Sequence, residues 1–365
     1  METKVAFIER PGGPIRVEAR PLPELEPGSV LLRTRYSEVC GTDCHLFRGK
    51  LAGVPYPLTP GHVSVGEIEA MNGPVYDVVG CPFSEGELVT FLDVHETCGA
   101  CWHCLVAKAA TRCPSRRVYG ITYGTDEGLL GGWSQHLYLK PGVRLIRLPE
   151  GLDSRVFIAG GCGMPTAFHA VERATIQLGD TVVVQGSGPV GLSTVAFARM
   201  AGAGEIILLG APEKRLAMGT SFGADQVIDI RGLSSEDRIA SILDRTQGWG
   251  ADVVIEASGN PAAVAEGVRM VRDAGTYVIV GQYTDNGDVT LNPHLDINKK
   301  HLDIRGCWGS EFTHVYRSMA MMARTKDQLD WASMISRDYG LAEAAQALAD
   351  VENLQVIKAI IDPWK

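Results

Sequence analysis

Cysteine is the residue whose spacing in this chain most directly suggests chemistry. Four of the nine cysteines fall in one short segment, Cys98-Gly-Ala-Cys101-Trp-His-Cys104 followed by Cys113. Four thiolates from one loop are what a closed, tetrahedral structural zinc site requires. In a cytosolic chain, where thiols stay reduced, such spacing reads as metal binding or catalysis rather than as a disulfide framework. With all four positions filled by sulfur, a metal there would hold a loop together and could not activate a substrate. His103 lies between two of these cysteines and has no position left to fill.

An open, catalytic zinc needs only three protein ligands and a vacant position, and the ligands can come from distant parts of a chain. Cys40, His62 and Cys162 are the candidates. Taken singly, each has an ordinary alternative, because a buried Cys behaves as a small hydrophobe and a lone His is usually a satisfied polar group. Their surroundings raise them. Cys40 opens Cys40-Gly-Thr-Asp-Cys-His45, which brings a hydroxyl at Thr42, a carboxylate at Asp43 and an imidazole at His45 within reach of whatever the thiolate binds. His62 follows Gly61 in the turn-rich GHVSVG.

A third chemistry is written in glycine. Gln185-Gly186-Ser-Gly188-Pro-Val-Gly191 follows an apolar run and opens a helix-like one, the context in which GxGxxG reads as a dinucleotide fingerprint. Gly186 permits the tight turn, Gly188 lets the backbone approach a pyrophosphate at the helix N-terminus, and Gly191 allows close helix–strand packing. The next strand ends LLGAPEKRL, with Gly210 where NAD-preferring proteins offer an acid to the ribose. Lys214 or Arg215 could greet a 2′-phosphate there, or form a solvated helix face, and Glu213 would weaken a phosphate site. NAD and NADP both stay open.

These residues need elements to position them. Residues 1 to about 160 read as short alternating runs such as SVLLRTRYS and LVTFLDV, broken by Gly and Pro, which predicts a β-rich domain with long loops. From Asp180 the pattern becomes strand TVVVQG, helix PVGLSTVAFARMAGA and strand EIILLG, a βαβ unit. Strands at DQVIDI, DVVIEA and TYVIVG, with helices at RLAMGTSF and NPAAVAEGVRMV, extend it into a doubly wound parallel sheet. After about Ile304 come another strand, helical segments and a last strand, VIKAII. The fold class is therefore α/β. At 365 residues and 45% hydrophobic, the chain is long enough for two cores.

Composition also excludes partners. A formal charge of −9 argues against a nucleic-acid face, which needs clustered Lys and Arg. No stretch approaches the roughly 20 apolar residues of a membrane span, and METKVAFIERPGG has charges where a signal peptide is apolar. A cytoplasmic location is expected.

Over nearly its whole length the sequence resembles the zinc-containing medium-chain dehydrogenase/reductase family. The resemblance rests on CGTDCH, GH-x-x-x-G, the four-cysteine lobe, Gly-Cys162-Gly and the Gly-rich turn, all in family order. It implies a GroES-like catalytic domain over residues 1–163 and 306–365, interrupted by a Rossmann domain over 164–305. It implies Cys40, His62 and Cys162 as catalytic zinc ligands, hence two zincs per chain. Thr42 and His45 would relay a proton from alcohol to solvent by way of the cofactor ribose, and Asp43 would orient His62. Lys358, in QVIKAII, falls where the family often has a basic residue facing the pyrophosphate, the alternative being a solvated surface lysine. Zinc would act as a Lewis acid on the alcohol, Thr42 would pass on its proton, and hydride would go to the nicotinamide.

The expected enzyme is thus an oxidoreductase acting on CH–OH, interconverting an alcohol and its ketone or aldehyde, as a homodimer or homotetramer. Its pocket, bounded by the loop after His45 and residues near Cys307 and Trp308, suggests a hydrophobic secondary or cyclic alcohol. One departure matters: Val63 stands where the family usually has a Glu that assists ligand exchange. Cys44 is expected as a packed or free thiol, and Cys81 and Cys307 have no assigned role. Two alternatives are a zinc-independent quinone or enone reductase of the same superfamily and a non-enzymatic dinucleotide-binding zinc protein.

Overall fold

A computed structural model describes residues 2–365. It divides into two compact units, Met1–Cys162 with Glu311–Lys365, and Gly163–Ser310. In chain order the first unit supplies strands β1 (Glu2–Ile8), β2 (Ile15–Pro21), β3 (Val30–Val39), β4 (Ser64–Met71), β5 (Leu88–Phe91), β6 (Val94–Glu96), β7 (Arg117–Val118), β8 (His136–Leu139) and β9 (Leu145–Arg147). Its helices there are α1 (Gly41–Phe47), α2 (Trp102–Leu105) and α3 (Ser154–Gly160). The second unit supplies β10 (Thr181–Gln185), β11 (Glu205–Gly210), β12 (Gln226–Asp229), β13 (Ala251–Glu256), β14 (Val271–Ile279) and β15 (Asp303–Gly306). Its helices are α4 (Gly163–Ala174), α5 (Pro189–Met200), α6 (Glu213–Ser221), α7 (Ser235–Arg245) and α8 (Pro261–Met270). The chain then returns to the first unit for α9 (Phe312–Thr325), β16 (Ile335–Tyr339), α10 (Ala344–Glu352) and β17 (Lys358–Ile361).

The first unit is built on a seven-stranded sheet, ordered β16-β17-β3-β4-β5-β9 with β8 also on β3. β3 is central. It pairs antiparallel with β4, β8 and β17 and is buried over most of its length, although five of its ten residues are polar, Thr34, Ser37 and Glu38 being buried among them. Val30, Leu32, Ile68, Val89, Leu137 and Leu145 pack together as its core. A separate ribbon, β6 with β7, closes the base of the cysteine lobe through Val94 opposite Val118.

The second unit is a six-stranded, wholly parallel sheet of order β12-β11-β10-β13-β14-β15. Strands buried on both faces read as continuous apolar runs, as β10 and β11 do. The strand order reverses between β10 and β13, and ligands of such sheets bind beyond the strand carboxyl ends at that switch point. α7, which the apolar pattern alone did not predict, starts on a capping box of Ser234 and Asp237 and buries Ile239 and Ile242. Among the described residues, no helix is long and apolar enough to cross a membrane.

Candidate active site

Three segments of the first unit converge. β3 runs into Cys40, which caps α1; His62 stands two residues before β4; Cys162 follows the turn that ends α3. The ligand atoms of Cys40, His62 and Cys162 all lie within 4.8 Å of one another, and Cys40 Sγ is 4.0 Å from His62 Nε2. Tetrahedral zinc with ordinary bond lengths needs about 3.6 Å between a sulfur and a nitrogen ligand, so the trio is close to a zinc-binding geometry.

The local field also favours a cation. Burial works against a charged His62 ring, yet the Cys40 thiolate and the Asp43 carboxylate carry its pKa up to about 10. Of the two sulfurs, Cys40 is pushed well down, because Cys162 donates to its thiolate and His62 lies beside it. Cys162 is pushed up by the same contact and by burial. Two thiols this close surrender their protons in linked steps, and a divalent cation is what stabilises both as thiolates together.

Asp43 sits under this cluster, fully buried. Its Oδ2 accepts the Cys40 N–H at 2.8 Å, and its Oδ1 lies 4.0 Å from His62 Nδ1. That second distance is too long for a hydrogen bond, and neither atom has another hydrogen-bond partner. Asp43 is therefore aimed at His62 without touching it. Burial raises its pKa well above the usual carboxylate range. Thr42 and His45 lie three residues apart on α1, hence on one helix face, and both are half-buried. Burial, helped by Lys50, lowers the His45 pKa.

Of the two expectations for Lys358, the solvated surface lysine is contradicted, because the residue is buried. Its side chain is 1% exposed, and its ammonium pairs with Glu38, also 1% exposed. Glu38 was missed from the sequence. Its signal was a carboxylate in a strand, two residues before a candidate ligand. The Glu38 N–H donates to the carbonyl of Val63, so a buried carboxylate reaches the site from the strand next to the residue where the family usually carries one.

The second cluster is the lobe. The sulfurs of Cys98, Cys101, Cys104 and Cys113 all lie within 4.8 Å of one another, with 3.5 Å between Cys101 and Cys104 and 4.0 Å between Cys101 and Cys113. Four thiolates around zinc need edges of about 3.8 Å. Backbone N–H groups of Cys98 and Cys101 donate to the sulfurs of Cys113 and Cys98, both at 3.3 Å. Hydrogen bonds from Ala100 and Cys101 lower the Cys98 pKa to about 6. His103 is outside the group. Of the other cysteines, Cys44 packs with its sulfur 3.9 Å from the Leu348 carbonyl, Cys307 is buried and pushed up to about 12 by burial, and Cys81 is exposed.

In the second unit the glycine turn takes its expected form. Gly186 follows β10 with φ +114°, Gly188 caps α5 and Pro189 opens it. A Cβ on Gly191 would meet the Gly186 carbonyl oxygen at 1.8 Å, whereas one on Gly188 would meet nothing within 4 Å. The turn is packed inside and open outside, as a phosphate cradle must be. At the end of β11 a Cβ on Gly210 would meet Ser187 Oγ at 2.3 Å, so the Ser187 side chain takes up the space a side chain at 210 would need. On α6, Glu213 and Lys214 are exposed while Arg215 is buried, so only the first two form a solvated face.

Comparison with known proteins adds the following. The family model "Alcohol dehydrogenase GroES-like domain" matches residues 26–150, and "Zinc-binding dehydrogenase" matches residues 189–324. A 5-exo-hydroxycamphor dehydrogenase of Pseudomonas putida is 32% identical over 351 residues, covering 95% of this chain and 96% of that protein. The crystal structure of an alcohol dehydrogenase from Thermotoga maritima superposes with a TM-score of 0.93 at 31% identity, covering 99% of each chain. That of a protein assigned as a zinc-binding dehydrogenase from Sinorhizobium meliloti 1021, bound to NADP, gives 0.87 at 26% identity over 100% of each.

Proposed function

The chain belongs to the zinc-containing medium-chain dehydrogenase/reductase family, and on that premise we propose that it is a zinc-dependent dehydrogenase of a hydrophobic secondary alcohol. The observation that carries this reading is the convergence of Cys40, His62 and Cys162 on one point beside a helix that bears a hydroxyl and an imidazole. When bound, zinc would supply Lewis-acid polarisation of the alcohol oxygen and the nicotinamide a hydride acceptor. Cys40, His62 and Cys162 would hold the catalytic ion, and Cys98, Cys101, Cys104 and Cys113 a structural one. Thr42 takes the alcohol proton and His45, one turn along α1, hands it to solvent. Gly186, Gly188 and Gly191 cradle the pyrophosphate. The hydroxycamphor relative acts, by its name, on a bicyclic secondary alcohol, which supports a bulky apolar substrate here. The enzyme would work in the cytoplasm as a homodimer or homotetramer, a state that light scattering reads directly.

The test is zinc content per chain together with absorbance at 340 nm when NAD or NADP is mixed with primary, secondary and cyclic alcohols. Two zincs and turnover confined to one alcohol class are expected, and the panel identifies the nucleotide. One zinc and no turnover with any alcohol would overturn the reading in favour of a dinucleotide-binding protein.

Two variants probe single steps. Thr42→Val removes the hydroxyl at nearly constant volume and should lower kcat by ~10²-fold, the usual size of a lost proton-transfer partner, with dinucleotide affinity unchanged and Thr42→Ser recovering most of the rate. Gly191→Ala drives a methyl into the Gly186 carbonyl. An overpacking cost of ~1–3 kcal/mol predicts dinucleotide binding weaker by ~10- to 100-fold in a fluorescence titration, with zinc content unaltered.

A further inference from the structure

Glu38 touches all three ligand-bearing segments. It lies two residues before Cys40 in β3, and its own N–H donates to the Val63 carbonyl at 3.0 Å, next to His62. Its side chain reaches the third: Oε2 accepts the Cys162 N–H at 2.6 Å, and Oε1 lies 3.5 Å from Cys162 Sγ. Lys358 completes the arrangement. In the antiparallel pairing of β3 with β17, Glu38 stands opposite Ile360, so Lys358, two residues along, is its diagonal neighbour on the same face. The ammonium pairs with Glu38 Oε1 and donates to the Gly160 carbonyl at 3.3 Å. The turn between is shaped around the pair. Gly161 has φ +48°, and a Cβ there would come within 2.3 Å of Glu38 Oε2 and 2.5 Å of Lys358 Nζ.

Stability alone does not account for two buried ions at this place. A buried ion pair can often be replaced by apolar residues of similar volume at no loss of stability, and the neighbours Val39 and Ile360 are apolar and buried. What the pair does that apolar residues could not is accept the Cys162 N–H. The ammonium, anchored on the Gly160 carbonyl, fixes the carboxylate that does so.

We propose that Glu38 is a positioning residue for the third metal ligand, fixing the Cys162 backbone, and that Lys358 holds the Glu38 carboxylate in the place from which it does so. This inference rests on the reading that Cys40, His62 and Cys162 hold zinc. It predicts an ordering that a general packing role would not give. Lys358→Met leaves the Glu38 carboxylate buried without the ammonium that holds it. Glu38→Gln with Lys358→Met restores neutrality and keeps an acceptor for the Cys162 N–H. Glu38→Met with Lys358→Met is neutral but has no acceptor.

The experiment follows zinc release from the purified, zinc-loaded enzyme into an excess of chromogenic chelator, with thermal unfolding measured alongside. Outer-shell substitutions commonly cost ~10- to 100-fold in metal affinity. Release from the three-ligand site should quicken by that factor in Lys358→Met and return to within about threefold of the unaltered enzyme in the Gln/Met double variant. It should quicken about tenfold or more in the Met/Met variant, with the unfolding temperature there equal or higher. If Lys358→Met does not fold, the two neutral variants still decide. Met/Met release at the unaltered rate overturns the positioning role of Glu38, and a Lys358→Met rate equal to that of the unaltered enzyme overturns the holding role of Lys358. If the unaltered enzyme holds only the lobe zinc, the metal-site reading itself fails and takes this inference with it. Two zincs with indifferent variants would sink the inference alone.

Discussion

Replacing Cys162 by serine is expected to lower kcat/KM at least ~10³-fold and to leave one zinc per chain where the unaltered enzyme has two. A Lewis acid contributes several kcal/mol to the stabilisation of developing negative charge on oxygen, and each ~1.4 kcal/mol is a factor of ten. Serine keeps the size of the residue and its backbone bond to Glu38 but offers a hydroxyl that stays protonated at neutral pH. The remaining pair, Cys40 and His62, is too few for a stable site. Dinucleotide affinity should be unchanged, since the glycine turn belongs to the other compact unit. Activity that survives the substitution would instead support a zinc-independent reductase of the same superfamily.

Cys113→Ser should have an equally large effect of a different kind. Between the cysteines of the lobe there is little else to keep the chain folded: α2 is four residues long and the single helical turn Ala110–Arg112 three. Trp102, Leu105 and Val106 are exposed rather than packed into a core. Structural zinc in such segments supplies ~10–16 kcal/mol of folding free energy. Losing one thiolate should release that ion and open the segment, raising its cleavage by trypsin at Lys108 and Arg112 by at least ~10-fold, as expected where local opening becomes nearly free. The three-ligand zinc should stay. Unchanged cleavage would mean that the four thiols are merely packed.

The parts of this molecule legible in the sequence are those whose signal is local. The parallel sheet could be read because strands buried on both faces are uninterrupted apolar runs, as in TVVVQ and EIILLG. The four cysteines of the lobe could be grouped from their spacing alone, whereas Cys40, His62 and Cys162, far apart in sequence, were linked by their resemblance to a family's motifs, and the fold brings each set together. α7 carried a local signal too, the Ser234 and Asp237 box, but its apolar face is narrow, with only Ile239 and Ile242 buried. The first unit could be anticipated only as β-rich, since β9 is three residues long and β3 gathers partners from β4, β8 and β17 across more than 300 residues of chain. The same distance explains Lys358. Nothing near it in sequence announces Glu38, 320 residues away, and only the strand pairing brings the two together. Likewise the spacing of CGTDCH puts Asp43 near the metal ligands but does not say that Asp43 stops 4.0 Å short of His62.

Cys162 is the last residue of the first unit before the chain departs at Gly163, and the chain comes back at Glu311. Every candidate metal ligand, with Thr42, His45, Glu38 and Lys358, therefore lies outside the inserted segment, and every glycine of the nucleotide turn lies within it. The dinucleotide portion is inserted like a cassette at a single seam whose upstream stitch is a metal ligand. A substitution confined to that portion therefore reaches the nucleotide turn without touching any candidate metal ligand, and the one ligand adjoining it is Cys162.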